Sequence, residues 1–196
     1  MTVRIDAISE PITYAKIVSD YIKRCRPTQD NEFAWFAQKQ TYKKSLQLIA
    51  SAQLSDDGFL FTRKADHQRR LKDEVLKKAE SSLLAFEMEI RKASTFQEIH
   101  QVVKDALFFV KGAGDLYAYD TALRIAARRG TDFLPDKVYL IAGAKEGAKH
   151  VFAQGAERAT VMESAAFPRE FQKLMAYEIH NLLCSYRHHL AMVKKK

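Results

Sequence analysis

Glycine and proline are scarce in this chain, seven and four among 196 residues. Glycine weakens a helix through its backbone freedom and proline through its missing N–H, so a chain poor in both has few places to end one. Along the chain, apolar residues recur at three- and four-residue spacing. Residues 11–25 read as a first helix, with Ile12, Ala15, Ile17, Val18 and Ile22 on its apolar face. Residues 31–52 read as a second, with Phe33, Trp35 and Phe36 near its start and the last two as core. Asp66 is placed to cap a long third helix through Leu71, Val75, Ala79, Leu83, Phe86 and Ile90. Thr95 opens a shorter helix with Ile99, Val102, Val103 and Ala106 on one face. Further helices are expected from Asp115, from Asp136 or soon after, and from Pro168 to about Leu190. Strand character is confined to residues 58–62, one arm of a small β-hairpin. The expected fold is all-α, a single helical domain over residues 1–196, with a division into two lobes left open. No repeat, low-complexity tract or linker interrupts it.

Two cysteines, Cys25 and Cys184, are too few for a disulfide framework, a four-thiolate zinc site or a four-cysteine iron–sulfur cluster. Their small number points to a reducing compartment, and a cytoplasmic location is expected. No basic stretch followed by an apolar run marks the first residues as a signal peptide, and no apolar run is long enough to cross a bilayer. A membrane partner is therefore not expected. Thirty-two Lys and Arg against 24 Asp and Glu leave a net charge of +8. That balance fits a polyanionic partner and fits a merely soluble surface equally well.

The most informative stretch runs Phe108-Phe-Val-Lys-Gly112-Ala-Gly114-Asp-Leu-Tyr-Ala118-Tyr-Asp120-Thr-Ala122-Leu-Arg124. A helix, a Gly-Ala-Gly turn and a second helix capped by Asp115 make a tight helical hairpin. Its glycines leave backbone N–H groups bare enough to meet a phosphate. A dinucleotide-binding Gly-x-Gly-x-x-Gly reading fails, because position 117 is Tyr and no strand precedes the turn. Downstream, the chain continues Arg129-Gly130-Thr-Asp132-Phe-Leu-Pro135-Asp136-Lys-Val-Tyr139-Leu140.

Hairpin and loop together, at 108–140, resemble the helix–hairpin–helix DNA glycosylase superfamily, closest to its alkylated-base branch. Lys111 stands where that family usually has Pro, and the loop is reordered around Leu134-Pro135. The resemblance implies a helical fold that binds double-stranded DNA as a monomer and hydrolyses the N-glycosidic bond of a damaged or modified base. Lys111, Gly112, Ala113 and Gly114 would then hold DNA backbone, with Arg69, Arg70 and Lys137 as further contacts. Asp136 would stabilise the positive charge that builds on the sugar and direct a water. The plain reading of Asp136, after a proline, is a helix N-cap, and the two roles are compatible. Leu116 replaces the lysine used by members that also cut the backbone, so the product would be an intact abasic site. Asp120, with Leu116 and Tyr139, would face the extruded base. The other reading of Asp120 is an i,i+4 pair with Arg124 on a solvated face. No organic cofactor or protein-bound metal is implied, although the family's hairpin carbonyls accommodate a monovalent cation. His180, Cys184 and His188 are spaced i, i+4, i+8, and helix packing is the expected role of that set.

Alkylated purines, suggested by the loop, and bulky or hydroxylated pyrimidines of foreign or viral DNA, suggested by Asp120, remain open as substrates. Two other readings stand beside excision. One is a DNA-binding protein that keeps the hairpin without the chemistry, and the other is a helical protein–protein adaptor.

Overall fold

The computed structural model describes residues 11–37, 41–51, 53–56, 59–64, 70–152 and 158–193. The protein is mostly helical and divides into two compact units, residues 29–135 and residues 1–28 with 136–196. Among the described residues the helices are α1 (Tyr14–Arg24), α2 (Arg26–Ala37), α3 (Tyr42–Ala50), α4 (Asp73–Ala85), α5 (Glu87–Lys92), α6 (Phe96–Leu107), α7 (Asp115–Arg129), α8 (Gly143–Val151), α9 (Ala176–Ser185) and α10 (Arg187–Leu190). Strands β1 (Gln53–Asp56) and β2 (Phe59–Lys64) pair antiparallel, and so do β3 (Lys137–Tyr139) and β4 (Val161–Glu163). No described helix is long and apolar enough to cross a membrane.

Threonine caps account for three helix starts, those of α1, α3 and α6. Thr13 Oγ1 accepts the Lys16 N–H at 3.3 Å, Thr41 Oγ1 accepts Lys44 N–H at 3.3 Å, and Thr95 Oγ1 accepts Glu98 N–H at 3.2 Å. Several expected boundaries differ. The helix expected over 31–52 is two: α2 begins at Arg26, with Pro27 in its first turn, and α3 restarts after the Thr41 cap. The long third helix breaks at Phe86 into α4 and α5, with Lys72 at the N-cap of α4; Asp66, the expected cap, lies outside the described residues. Pro168 opens a short 3-10 turn (Arg169–Lys173) rather than a helix to Leu190. The backbone then extends at Leu174 and Met175, and α9 begins when the Glu178 carboxylate accepts the Met175 N–H at 2.8 Å.

The unit of residues 29–135 is built on α7, whose residues from Tyr117 to Ala127 are all buried. It packs against α6 and α3, and α4 packs against both of those helices. Ile99, Val103 and Ala106 of α6 and Ala118, Ala122, Ile125 and Ala126 of α7 form part of this core, the alanines allowing close backbone approach. His100 is half-buried here, stacked on Phe96 at 5.9 Å and edge-on to Tyr119 at 6.0 Å. Burial, reinforced by the charge of Lys104, pushes its pKa down to about 4.

That depression makes a prediction. A histidine held neutral in the fold stabilises it fully above its unfolded pKa of about 6.5, and the contribution is lost as pH falls through the folded value. The loss is on the order of 2–3 kcal/mol. Urea midpoints are expected to drop between pH 7 and pH 4, with a flatter profile in His100→Phe. An equal slope in that variant would assign the loss to carboxylates instead.

In the other unit α9 and α10 pack on α8, and β3 runs against α9. A Cβ on Gly147 of α8 would stand 2.8 Å from the Leu183 carbonyl carbon and nearer its oxygen, so only glycine permits this approach. The Arg26 guanidinium grips Glu178 at 2.6 and 2.9 Å and donates to the Lys173 carbonyl at 3.0 Å. Tyr186 donates to Asp20 at 2.8 Å.

Candidate nucleic-acid interface

The helical hairpin expected from the sequence is present, formed by α6, the turn and α7. Ala113 N–H bonds the Val110 carbonyl at 3.0 Å, closing a β-turn in which Gly112 occupies the third position with φ +102°. Type II turns need that positive φ, hence glycine, and favour proline at the position before it, where this chain has Lys111. The N-cap of α7 is Gly114 rather than Asp115, which is the first helical residue. Gly114 has φ −88° and ψ 174°, and nothing lies within 4 Å of where a Cβ would be. With no side chain at the cap, Gly114 offers no side-chain acceptor to the first-turn N–H groups of α7. Lys111, Gly112 and Gly114 are exposed and Ala113 is half-buried.

The turn's carbonyls are partly committed. Those of Phe109, Val110 and Gly114 accept backbone N–H groups at 3.2, 3.0 and 3.1 Å.

The basic residues of α7 are occupied within their own unit. Arg124 is 4% exposed and pairs with Glu32 at 2.8 Å. Arg128 donates to Ser45 Oγ at 3.2 Å. Arg129 donates to the carbonyls of Ile90 and Ala93 and covers the Phe133 ring at 4.0 Å. Burial opposes the Arg124 charge, yet the Glu32 and Asp120 carboxylates outweigh it and hold the pKa above its ordinary value. Asp120 is itself buried, which overturns the solvated-face reading of its pair with Arg124. Leu116 is half-buried, and Tyr117 donates to the Ala50 carbonyl at 2.6 Å.

Asp136 requires a correction. No helix starts there: Asp136 is exposed, immediately ahead of β3, and the next helix begins at Gly143. Lys137, Val138 and Tyr139 pair with Glu163, Met162 and Val161, and this ladder replaces the first helical turn that an N-cap would serve. Lys137 meets Glu163 across the ladder at 3.0 Å, a pairing that raises its pKa. Tyr139 is half-buried, and burial, then the Asp136 charge, raises its phenol pKa.

The expected site residues thus fall into two groups. Lys111 to Gly114, Leu116 and Asp120 share the hairpin of one unit; Asp136, Lys137 and Tyr139 share the β3 edge of the other. Arg70 is exposed, and Arg69 lies outside the described residues. In the helical triplet, His180 is buried and its Nδ1 donates to the Tyr139 carbonyl at 2.6 Å, while Cys184 Sγ lies 3.7 Å from Nε2. Among the described residues no three His, Cys, Asp or Glu side chains converge as metal ligands.

Phe108 and Phe109, at the end of α6, escaped the sequence reading. They are 78% and 92% exposed, with ring centroids 4.9 Å apart at 88°. The signal was present in the register: Ile99, Val103, Ala106 and Val110 keep the buried stripe, and positions 108 and 109 fall off it.

The class these features define is a mostly helical protein with a glycine-turned helical hairpin whose turn is exposed. No family model, curated protein or solved structure matches the chain.

Proposed function

We propose that the protein is a monomer that binds DNA backbone through the turn at 111–114. The activity we propose for it is monofunctional removal of a modified base, with Asp136 as the carboxylate. The observation that supports binding is the turn itself: a positive-φ Gly112, an unobstructed Gly114 and the exposed Lys111 ahead of the uncapped start of α7. Such a surface suits phosphate oxygens, which accept N–H hydrogen bonds and carry no base identity. Support for excision comes from the sequence resemblance, and given that resemblance Leu116 offers no amine and leaves water as the nucleophile.

A second reading, DNA binding without chemistry, is favoured by the position of Asp136, exposed ahead of a strand. One set of measurements separates the readings. Binding to DNA is expected to weaken as salt rises, as phosphate contacts require. Gly114→Val places a side chain in the phosphate position without backbone strain, and is expected to lower affinity about tenfold with little sequence preference. Duplexes bearing alkylated purines or modified pyrimidines are expected to release free base, detected by mass spectrometry, and to keep an uncut abasic site until alkali is added. Binding without release on every duplex selects the second reading. Unchanged affinity in a folded Gly114→Val protein removes the hairpin from the interface.

A further inference from the structure

We propose that Phe108 and Phe109 form a stacking platform for an unpaired base, so that the nucleic acid this hairpin prefers is single-stranded or locally unpaired. The inference rests on the DNA-binding reading of the turn and adds the strand state it selects. Two adjacent phenylalanines exposed to 78% and 92% are a costly surface to leave in water. Their edge-to-face arrangement, 88° between planes, lets Phe108 brace the Phe109 ring while most of that ring stays open. Phe109 is three residues from Gly112, no more than about 11 Å along the chain, so a base and its own phosphate fit the pair of features. Exposed Lys104 and Lys111 lie four residues before Phe108 and two after Phe109 in the chain. Of the nearby acids, Asp105 accepts a hydrogen bond from Gln101 at 2.8 Å, and Asp115 stands in the first turn of α7.

Other occupants fit less well. Two phenylalanine side chains offer roughly 300–500 Å², short of the roughly 800 Å² per partner of a stable protein interface. A membrane-surface helix needs an apolar stripe along its length, and the α6 stripe of Ile99, Val103 and Ala106 is buried. A regular duplex keeps both faces of every base covered by neighbours. An unpaired base has a free face for an aromatic ring, whatever its identity.

The test compares a fluorescein-labelled oligothymidine strand with a duplex of equal length by anisotropy, at low and moderate salt. The proteins are wild type, Phe109→Ala, Phe109→Trp, the double Phe108→Ala/Phe109→Ala variant and Gly114→Val. Both rings are at the surface, so truncation leaves the core untouched, and circular dichroism checks this. The double variant is expected to lose about fivefold to hundredfold in affinity for the single strand, the range of base–aromatic stacking, and far less for the duplex. Phe109→Trp is expected to retain single-strand affinity. If wild type binds both DNAs and the alanine variants bind them equally well, the platform is overturned, while a weakened Gly114→Val keeps the hairpin reading. If wild type binds neither in a salt-dependent way, both fail together. Self-association in sedimentation that the double variant abolishes, without loss of single-strand affinity, would make a second copy the occupant and overturn the proposal.

Discussion

Asp136→Asn is expected to abolish release of a modified base while affinity for the same DNA stays equal or rises. Breaking an N-glycosidic bond leaves the sugar positively charged in the transition state, and a carboxylate lowers that energy where an amide of the same shape does not. Removing one preorganised electrostatic group of this kind costs about two to three orders of magnitude in rate, or about 3–4 kcal/mol of barrier. The position makes the variant a clean probe. Asp136 is exposed and precedes β3, so no helix cap is lost with its charge, and the ladder bonds of Lys137 to Tyr139 are unaffected. Stability should therefore match wild type, and removing a negative charge near phosphate should only help binding. Single-turnover rates on the released-base assay, together with affinity, read both halves. Full activity in the variant would take the chemistry away from Asp136. A borohydride-trapped adduct would point to a lysine nucleophile, Lys111 and Lys137 being the nearest in sequence.

What the sequence made legible was short-range. The Thr95 cap, the α6 stripe and the glycine turn depend on residues within one or two helical turns of each other, and the fold reproduces them. The small hairpin at β1 and β2 was readable for the same reason. The helix start expected at Asp136 is absent because its surroundings are set from far along the chain. Pro-Asp is a good helix start in isolation, but Lys137 to Tyr139 find their partners at 161–163, a pairing no local pattern announces. The break before α9 has a similar origin. Glu178 is held by Arg26, 152 positions earlier, and fixes the helix start beyond the proline that appeared to begin it. Asp120 and Arg124 were correctly seen as neighbours on one helix. The helix is buried all round from Tyr117 to Ala127, and the Glu32 carboxylate of α2 that meets Arg124 there lies 92 positions earlier, where no spacing rule reaches.

Glu32→Ala is expected to destabilise the protein by about 3 kcal/mol, the low end of the cost of breaking a buried ion pair. Arg124 is almost wholly enclosed, so loss of its 2.8 Å partner strips a desolvated guanidinium of the Glu32 carboxylate, while the Asp120 charge still acts on it. Asp120 keeps the loss from reaching the top of the range, about 5 kcal/mol. Arg124→Met tests the same network from the other side. It removes the cation and leaves the Glu32 carboxylate, whose side chain is 15% exposed against 5% for Arg124 and so keeps more access to water. Arg124→Met is therefore expected to cost less than Glu32→Ala, because the charge left behind is less desolvated. Urea denaturation of both variants makes the comparison. The outcome also decides what Asp120 is for. If Asp120→Asn lowers stability and changes the rates on two modified bases equally, its carboxylate serves Arg124 and the core of its unit. If stability holds and only the ratio of the two rates moves, Asp120 reads the base, since a buried acceptor left unpaired discriminates against the substrate that fails to meet it. A Glu32→Ala cost under about 1 kcal/mol would show that Arg124 finds another acceptor, and the three-residue network would lose its structural role.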